Sequence, residues 1–233
     1  MISALANPAR FMAVSRPLAP ALGLLSLGLF GAGLWLSFTA PADYQQGDSV
    51  RIMFVHVPAA WIGLFAYAAL GVASFTGLVW RHALADTAAK AAAPLGAGFT
   101  LLALITGSLW GRPMWGTWWV WDARLTSSLM LFMIFVAYTL LKKYGGPGSD
   151  KLGAGLALFG MANVPFIYVS VNYWRTLHPK TTVVPNLVPP MAGPMWWAFA
   201  GFVLMSLVLF ALRGQQEEQR ARVEALYLAA DEG

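Results

Sequence analysis

The chain contains no cysteine. Disulfides, thiol redox chemistry and thiolate metal sites are therefore excluded within it. Charge is also scarce: Asp, Glu, Lys and Arg make up 11% of the 233 residues, against about a quarter in an average soluble domain. Histidine occurs three times, as His56, His82 and His178, so any imidazole chemistry rests on very few residues. Apolar side chains fill the space left, at 58% of the chain. That balance is a membrane composition.

Six apolar runs follow one another: Leu18–Phe38, Ile52–Val79, Leu95–Trp110, Leu125–Leu141, Leu152–Val171 and Met191–Leu212. None contains Asp, Glu, Lys or Arg. Crossing the hydrocarbon core takes about 20 helical residues, with roughly 17–25 as the working range. The third and fourth runs are short and are expected to borrow flanking residues such as Ala91–Ala93. The second is overlong, so its first turn, around His56, should project beyond the core. The period-two pattern of barrel strands is missing, and lipid leaves helices as the remaining solution. The expected fold is an all-α integral membrane protein, a six-transmembrane-helix bundle spanning 1–212 with a polar tail at 213–233. Asn163 and Pro165 predict a kink in the fifth helix. In the tail, Val223, Leu226, Tyr227 and Ala230 share one face of an expected short helix. The first run, at 21 residues, exceeds a usual secretory core and reads as a retained helix.

Basic residues set the expected orientation. Arg10, Arg16, Arg81, Lys90, Lys142, Lys143, Lys151, Arg213, Arg220 and Arg222 fall on one side; Arg51, Arg112, Arg124, Arg175 and Lys180 fall on the other. The positive-inside rule then puts both termini in the cytoplasm and the second connection-rich face in the periplasm. The net charge of +5 needs no nucleic acid to explain it, because anionic membrane lipid is the ordinary partner of basic cytoplasmic loops.

One segment on the outer side stands apart. Between Trp110 and Asp122 lie five of the chain's 11 tryptophans: Trp110, Trp115, Trp118, Trp119 and Trp121. Each ring carries a large apolar area and one N–H that needs a partner. Two readings are open from the residues alone. The rings could form an interfacial aromatic belt, or a platform for a flat apolar ligand, shaped by Gly111, Pro113 and Gly116. His56 and His178 flank this tract on the same side, whereas His82 sits beside Arg81 on the other. Singly, each histidine reads as a capping or interfacial residue. As a pair they are candidate axial ligands, one per face of a haem iron. Arg51, Arg112, Arg124 and Arg175 are available for carboxylates, which a guanidinium binds through both oxygens. Asp122 has three readings: orienting a histidine, pairing with Arg124, or capping the helix that starts near Leu125.

The stretch Trp115-Gly-Thr-Trp-Trp-Val-Trp-Asp-Ala-Arg-Leu-Thr-Ser127 resembles the tryptophan-rich "WWD" signature of the haem-handling proteins of cytochrome c biogenesis. Six helices with one histidine on each side of the signature resemble, within that superfamily, the haem exporter C family of the cytochrome c maturation system. The resemblance covers nearly the whole chain. It implies that His56 and His178 ligate the iron of a non-covalent b-type haem. It implies too that Trp115, Gly116, Trp118, Trp119, Trp121 and Asp122 hold the haem edge, with Trp110 beside them. Arg51 and Arg124 are assigned to the propionates by charge rather than by the resemblance.

The function so implied is to present haem at the periplasmic face of the inner membrane and to help load it onto a membrane-anchored haem chaperone. The implied partners are that chaperone, an ABC-type ATPase with its membrane subunit, and a small single-helix membrane protein. Nothing in the chain reads as a nucleophile or general base in an enclosed site, so a haem-transfer protein is expected rather than a conventional catalyst. Two alternatives remain. A cytochrome b-like electron-transfer subunit would usually carry histidines deep within its spans. A haem transporter would usually carry ionisable residues there.

Overall fold

The computed structural model describes residues 7–180 and 184–231. They form α1 (Pro8–Thr39), α2 (Met53–Trp80), α3 (Ala83–Trp115), α4 (Ala123–Tyr144), α5 (Ser149–Met161), α6 (Asn163–Tyr173) and α7 (Pro189–Asp231). Short 3-10 turns at Asp48–Ile52 and Val184–Asn186 lead into α2 and α7. Among the described residues no strand forms, beyond a single bridge between Asp43 and Gly47. Six segments are long and apolar enough to cross a membrane, α5 and α6 together making the fifth. The chain is a multi-pass membrane protein.

The helices start and stop for local reasons. Asn7 caps α1, its side chain accepting from the Ala9 and Arg10 amides, and Pro8 fills the first helical position. His82 caps α3 through Nδ1, which accepts from the Leu84 amide. Within the spans, hydroxyls bond back to carbonyls one turn earlier: Ser37 to Gly33 at 2.6 Å, Ser127 to Ala123 at 2.6 Å and Thr139 to Phe135 at 2.8 Å. Such back-bonding keeps polar atoms satisfied where no water reaches.

Two boundaries differ from the sequence expectation, and the expected kink in the fifth span is an interruption of the helix. The 33 residues of α3 make a rod of about 50 Å, against a hydrocarbon core of about 30 Å. Its last turns are Trp110–Trp115, so half of the tryptophan tract is helix rather than connector. Gly107 and Gly111 stay helical, and Gly116 ends the helix by taking the left-handed conformation, at φ 75°. The fifth span breaks at Ala162, between α5 and α6, next to the expected Asn163 and Pro165. Asn163 ties the start of α6 to α4, Nδ2 donating to the Ser127 carbonyl at 2.9 Å. The tail runs straight on from the sixth span, as one 43-residue helix. Its base is fastened to the bundle where Gln215 donates to Ser15 at 3.0 Å and Thr87 donates to the buried Glu218 at 2.6 Å.

Packing sets α2 and α3 side by side at the centre, with α4, α5 and α6 on one flank and α7 and α1 on the other. Ala89, Ala92 and Ala93 of α3 are buried against Tyr67 and Leu70 of α2 and Phe135 and Tyr138 of α4. Small residues of this kind let membrane helices approach closely, which is how they associate without a hydrophobic drive. The α1–α7 pair does so through two glycines. A methyl group on Gly33 would lie 2.8 Å from Ala198 Cα, and one on Gly201 would lie 2.8 Å from Phe30 Cα. Gly28 of α1, by contrast, faces open space. Gly201→Ala should therefore destabilise the detergent-solubilised protein by about 1–3 kcal/mol through overpacking. Gly28→Ala should not, and thermal melting of the two variants checks the difference.

Candidate functional site

At the end of the bundle opposite both termini, a cavity opens among α2, α3, α4, α6 and the loops after α3 and α6. Its empty space, open mouth included, is about 950 Å³. His56 stands in the first turn of α2, and His178 stands in the loop after α6. Both line it, together with Trp110, Trp115, Trp118 and Trp119. The floor descends between helices past Ala60, Leu64, Thr100 and Leu131.

Each imidazole meets a backbone carbonyl through Nδ1. His56 Nδ1 is 3.0 Å from the Ala103 carbonyl oxygen, and His178 Nδ1 is 2.8 Å from the Pro179 carbonyl oxygen. A carbonyl only accepts, so Nδ1 carries the proton in each ring and Nε2 keeps its lone pair. That is the arrangement by which proteins orient a metal-ligating histidine. Thr106 lies 3.2 Å from the same Nδ1 of His56, and Gly107 leaves room for its ring: a methyl there would meet Cε1 at 3.0 Å. The ring centroids of His56 and His178 are 6.4 Å apart. At that separation the two rings could hold one metal atom between them, given metal–imidazole bonds of about 2 Å. Among the described residues no cluster of three or more His, Asp or Glu completes a shell for a bare ion.

Charge in the cavity is one-sided. Among its described lining residues Arg124 is the sole Lys or Arg, and no Asp or Glu lines it. Arg124 donates to the Ile167 carbonyl of α6 at 2.5 Å, which leaves other donors of its five-donor guanidinium for the cavity. Two further lining residues, Trp119 and Thr100, carry buried polar atoms (Nε1 and Oγ1) that lack a hydrogen-bond partner among the described residues. Unsatisfied buried donors of this kind are uncommon and suit a ligand that brings acceptors.

The other expected site residues take different positions. Gly116 forms the left-handed turn that ends α3, tied by its amide to the Arg112 carbonyl. The Arg112 guanidinium bonds the Gly116 carbonyl and lies over the Trp118 ring, 6.0 Å from its centroid. Trp121 is 76% exposed and packs edge-on to Trp119 rather than lining the cavity. Arg51 is drawn away from it, donating to the Ala40 carbonyl at 3.0 Å and pairing with Asp48 at 3.1 Å. Arg175 is exposed. Asp122 caps α4 through one oxygen, 2.8 Å from the Leu125 amide, and binds the His178 loop through the other.

Comparison with known proteins bears on what such a site belongs to. The family model described as "Heme exporter protein C" matches residues 1–228. The chain belongs to the haem exporter protein C family. It is 45% identical over 230 residues to the "Heme exporter protein C" of Bradyrhizobium diazoefficiens, covering 96% of this chain and 88% of that one. It is 44% identical to the protein of the same name from Escherichia coli K12, over 90% of this chain and 87% of the relative. A "putative cytochrome c biosynthesis ccmC-like mitochondrial protein" of Marchantia polymorpha is 40% identical, over 81% of this chain and 82% of its own.

Within this haem exporter C chain, the supporting residues were the ones sequence reasoning missed. Thr106, Gly107 and Ala103 lie in an apolar run, and only the α2–α3 contact reveals their role beside His56. Thr176 left a fainter signal, a threonine two residues before a histidine, which is the spacing of a side-chain turn. In that loop, outside the spanning helices, burial and then the Arg124 charge push the His178 imidazole down from 6.5 to about 3, with His56 adding to the effect. A base whose folded value is lowered favours folding fully above its unfolded value and loses that contribution as the pH falls. The melting temperature of the protein should therefore drop between pH 6.5 and pH 3. His178→Gln, which cannot take up the proton, should make that drop shallower in a thermal-melt series across the same range.

Proposed function

We propose that this membrane protein binds haem between His56 and His178 and presents it for transfer during c-type cytochrome biogenesis. One observation carries the reading: two imidazoles, each with Nδ1 bound to a carbonyl, stand 6.4 Å apart in a cavity walled by tryptophan. Two nitrogen donors suit a metal that arrives with its own equatorial ligands, as the iron of a porphyrin does. When bound, that iron supplies the ligand field in which both Nε2 atoms share. Trp110, Trp115, Trp118 and Trp119 provide flat apolar walls. Arg124 offers the positive charge for a propionate, with the Trp119 N–H as a second donor.

The printed names of the relatives support haem as the cargo and cytochrome c biosynthesis as the setting. In this reading the haem face lies on the periplasmic side of the inner membrane, which the uneven distribution of Lys and Arg favours. Trp118 of the cavity wall, 55% exposed, and Trp121 beside Trp119, 76% exposed, offer the apolar surface on which a membrane-anchored chaperone would dock. An ABC-type ATPase with its membrane subunit and a small single-helix protein complete the proposed assembly.

Purified protein should carry, or take up from haemin, a b-type haem with a low-spin, two-imidazole spectrum. Replacing His56 and His178 together by Ala should abolish that spectrum, whereas His82→Ala should leave it intact. Full retention in the double variant sinks the ligand assignment. Rapid reversible cycling with a quinone, without release of haem to any acceptor, would favour the electron-transfer alternative.

A further inference from the structure

We infer that Thr176 is a positioning residue that transmits the placement of Asp122 to His178, so that the aspartate of the tryptophan signature acts on the site without touching its ligand. This rests on the reading of His178 as an iron ligand. The hydrogen bonds form one continuous chain. Asp122 Oδ1 accepts from the Leu125 amide at 2.8 Å and is thereby fixed to the first turn of α4. Asp122 Oδ2 accepts from the Thr176 hydroxyl at 2.5 Å and from the Leu177 amide at 3.3 Å. The same Thr176 oxygen accepts from the His178 amide at 3.0 Å. His178 then closes the chain by donating from Nδ1 to the Pro179 carbonyl at 2.8 Å.

Such a relay is needed because the two histidines are held by unequal supports. His56 stands on a spanning helix, with the Ala103 carbonyl of α3 beside it. His178 stands on irregular backbone between α6 and α7, where no ladder of helical bonds fixes the main chain. A loop that moves by an ångström moves its imidazole off the axis that a second ligand requires, and supporting contacts set that tolerance. Thr176 meets the need because a hydroxyl donates and accepts at once. It donates to a carboxylate already pinned by a helix and accepts from the amide of the residue to be positioned. Asp122 neither lines the cavity nor faces Arg124 in an ion pair; its two oxygens are engaged by the helix start and by this loop.

The test uses the full-length protein in detergent, with and without haemin. Thr176→Val removes both hydroxyl bonds and leaves the α4 cap intact. Asp122→Asn keeps an oxygen for the cap but turns an amide donor toward Thr176 and Leu177. Thr176→Ser retains the hydroxyl and serves as the rescue. In the apo protein, hydrogen exchange at residues 176–178 should accelerate roughly tenfold in the first two variants, the worth of about one hydrogen bond, and stay unchanged in Thr176→Ser. With haemin, the Val and Asn variants should shift most of the low-spin spectrum to the high-spin form given by His178→Ala. Added imidazole should reverse the shift. A Thr176→Val protein with wild-type exchange and spectrum overturns the proposal, and so does one that fails to fold or one whose defect Thr176→Ser shares. Should wild-type protein take up no haemin while the exchange result holds, the haem reading fails and the loop relay stands by its own measurement.

Discussion

Inside the hydrocarbon layer a backbone amide or carbonyl finds no water, and each one left unpaired costs several kcal/mol. The architecture follows from that constraint. It accounts for the long unbroken rods of α1, α2, α3 and α7 and for the hydroxyls that bond back onto their own helices. It also decides where the chain is allowed to be irregular. The helix after the break is tied to α4 by Asn163, which donates to the Ser127 carbonyl, and by Arg124, which donates to the Ile167 carbonyl. All the remaining irregular backbone near the cavity lies at the helix ends, in the segments that carry Gly116–Asp122 and Trp174–Pro179.

The candidate site inherits its electrostatics from the same arrangement. Arg124 secures the broken helix and also gives the cavity its one positive charge among the described lining residues. Burial, and then that charge, keep the His178 imidazole neutral well below its ordinary range. A neutral ring with Nδ1 protonated is ready to ligate without first losing a proton. With no Asp or Glu among the described lining residues, the Arg124 guanidinium gives the cavity a charge that suits an anionic ligand. The tryptophans supply contact area around this polar centre. Trp110 is anchored by its own N–H to Gln46 at 3.0 Å, whereas the buried Trp119 N–H has no hydrogen-bond partner among the described residues.

Much of this was legible beforehand, and the gaps have definite causes. Apolar runs free of charge marked all six spans, because the bilayer imposes a length and a composition that few other environments do. Their ends were less legible. The extension of α3 through Trp115 depends on where the first left-handed glycine falls, and the continuity of α7 into the tail depends on contacts with Ser15 and Thr87 far away in the chain. The helix-cap reading of Asp122 was correct but incomplete, since a cap uses one carboxylate oxygen and local sequence says nothing about the other. Arg51 shows the reverse case: charge and side of the membrane suited it to the site, yet its nearest partners are Ala40 and Asp48.

The sequence by itself determined the class of protein, the number of spans, the tryptophan tract and the two histidines that flank it. Each of these rests on composition or on a local pattern, and neither needs a partner distant in the chain. Only the tertiary structure decided that His56 and His178 stand ring to ring, that the Ala103 and Pro179 carbonyls select their tautomers, and that Arg124 rather than Arg51 shares their cavity. The reason is one of range: an imidazole's orientation and a guanidinium's reach are set by hydrogen bonds over about 3 Å, and apart from Pro179, the chain neighbour of His178, the partners come within that distance only through the packing of α2, α3, α4 and α6.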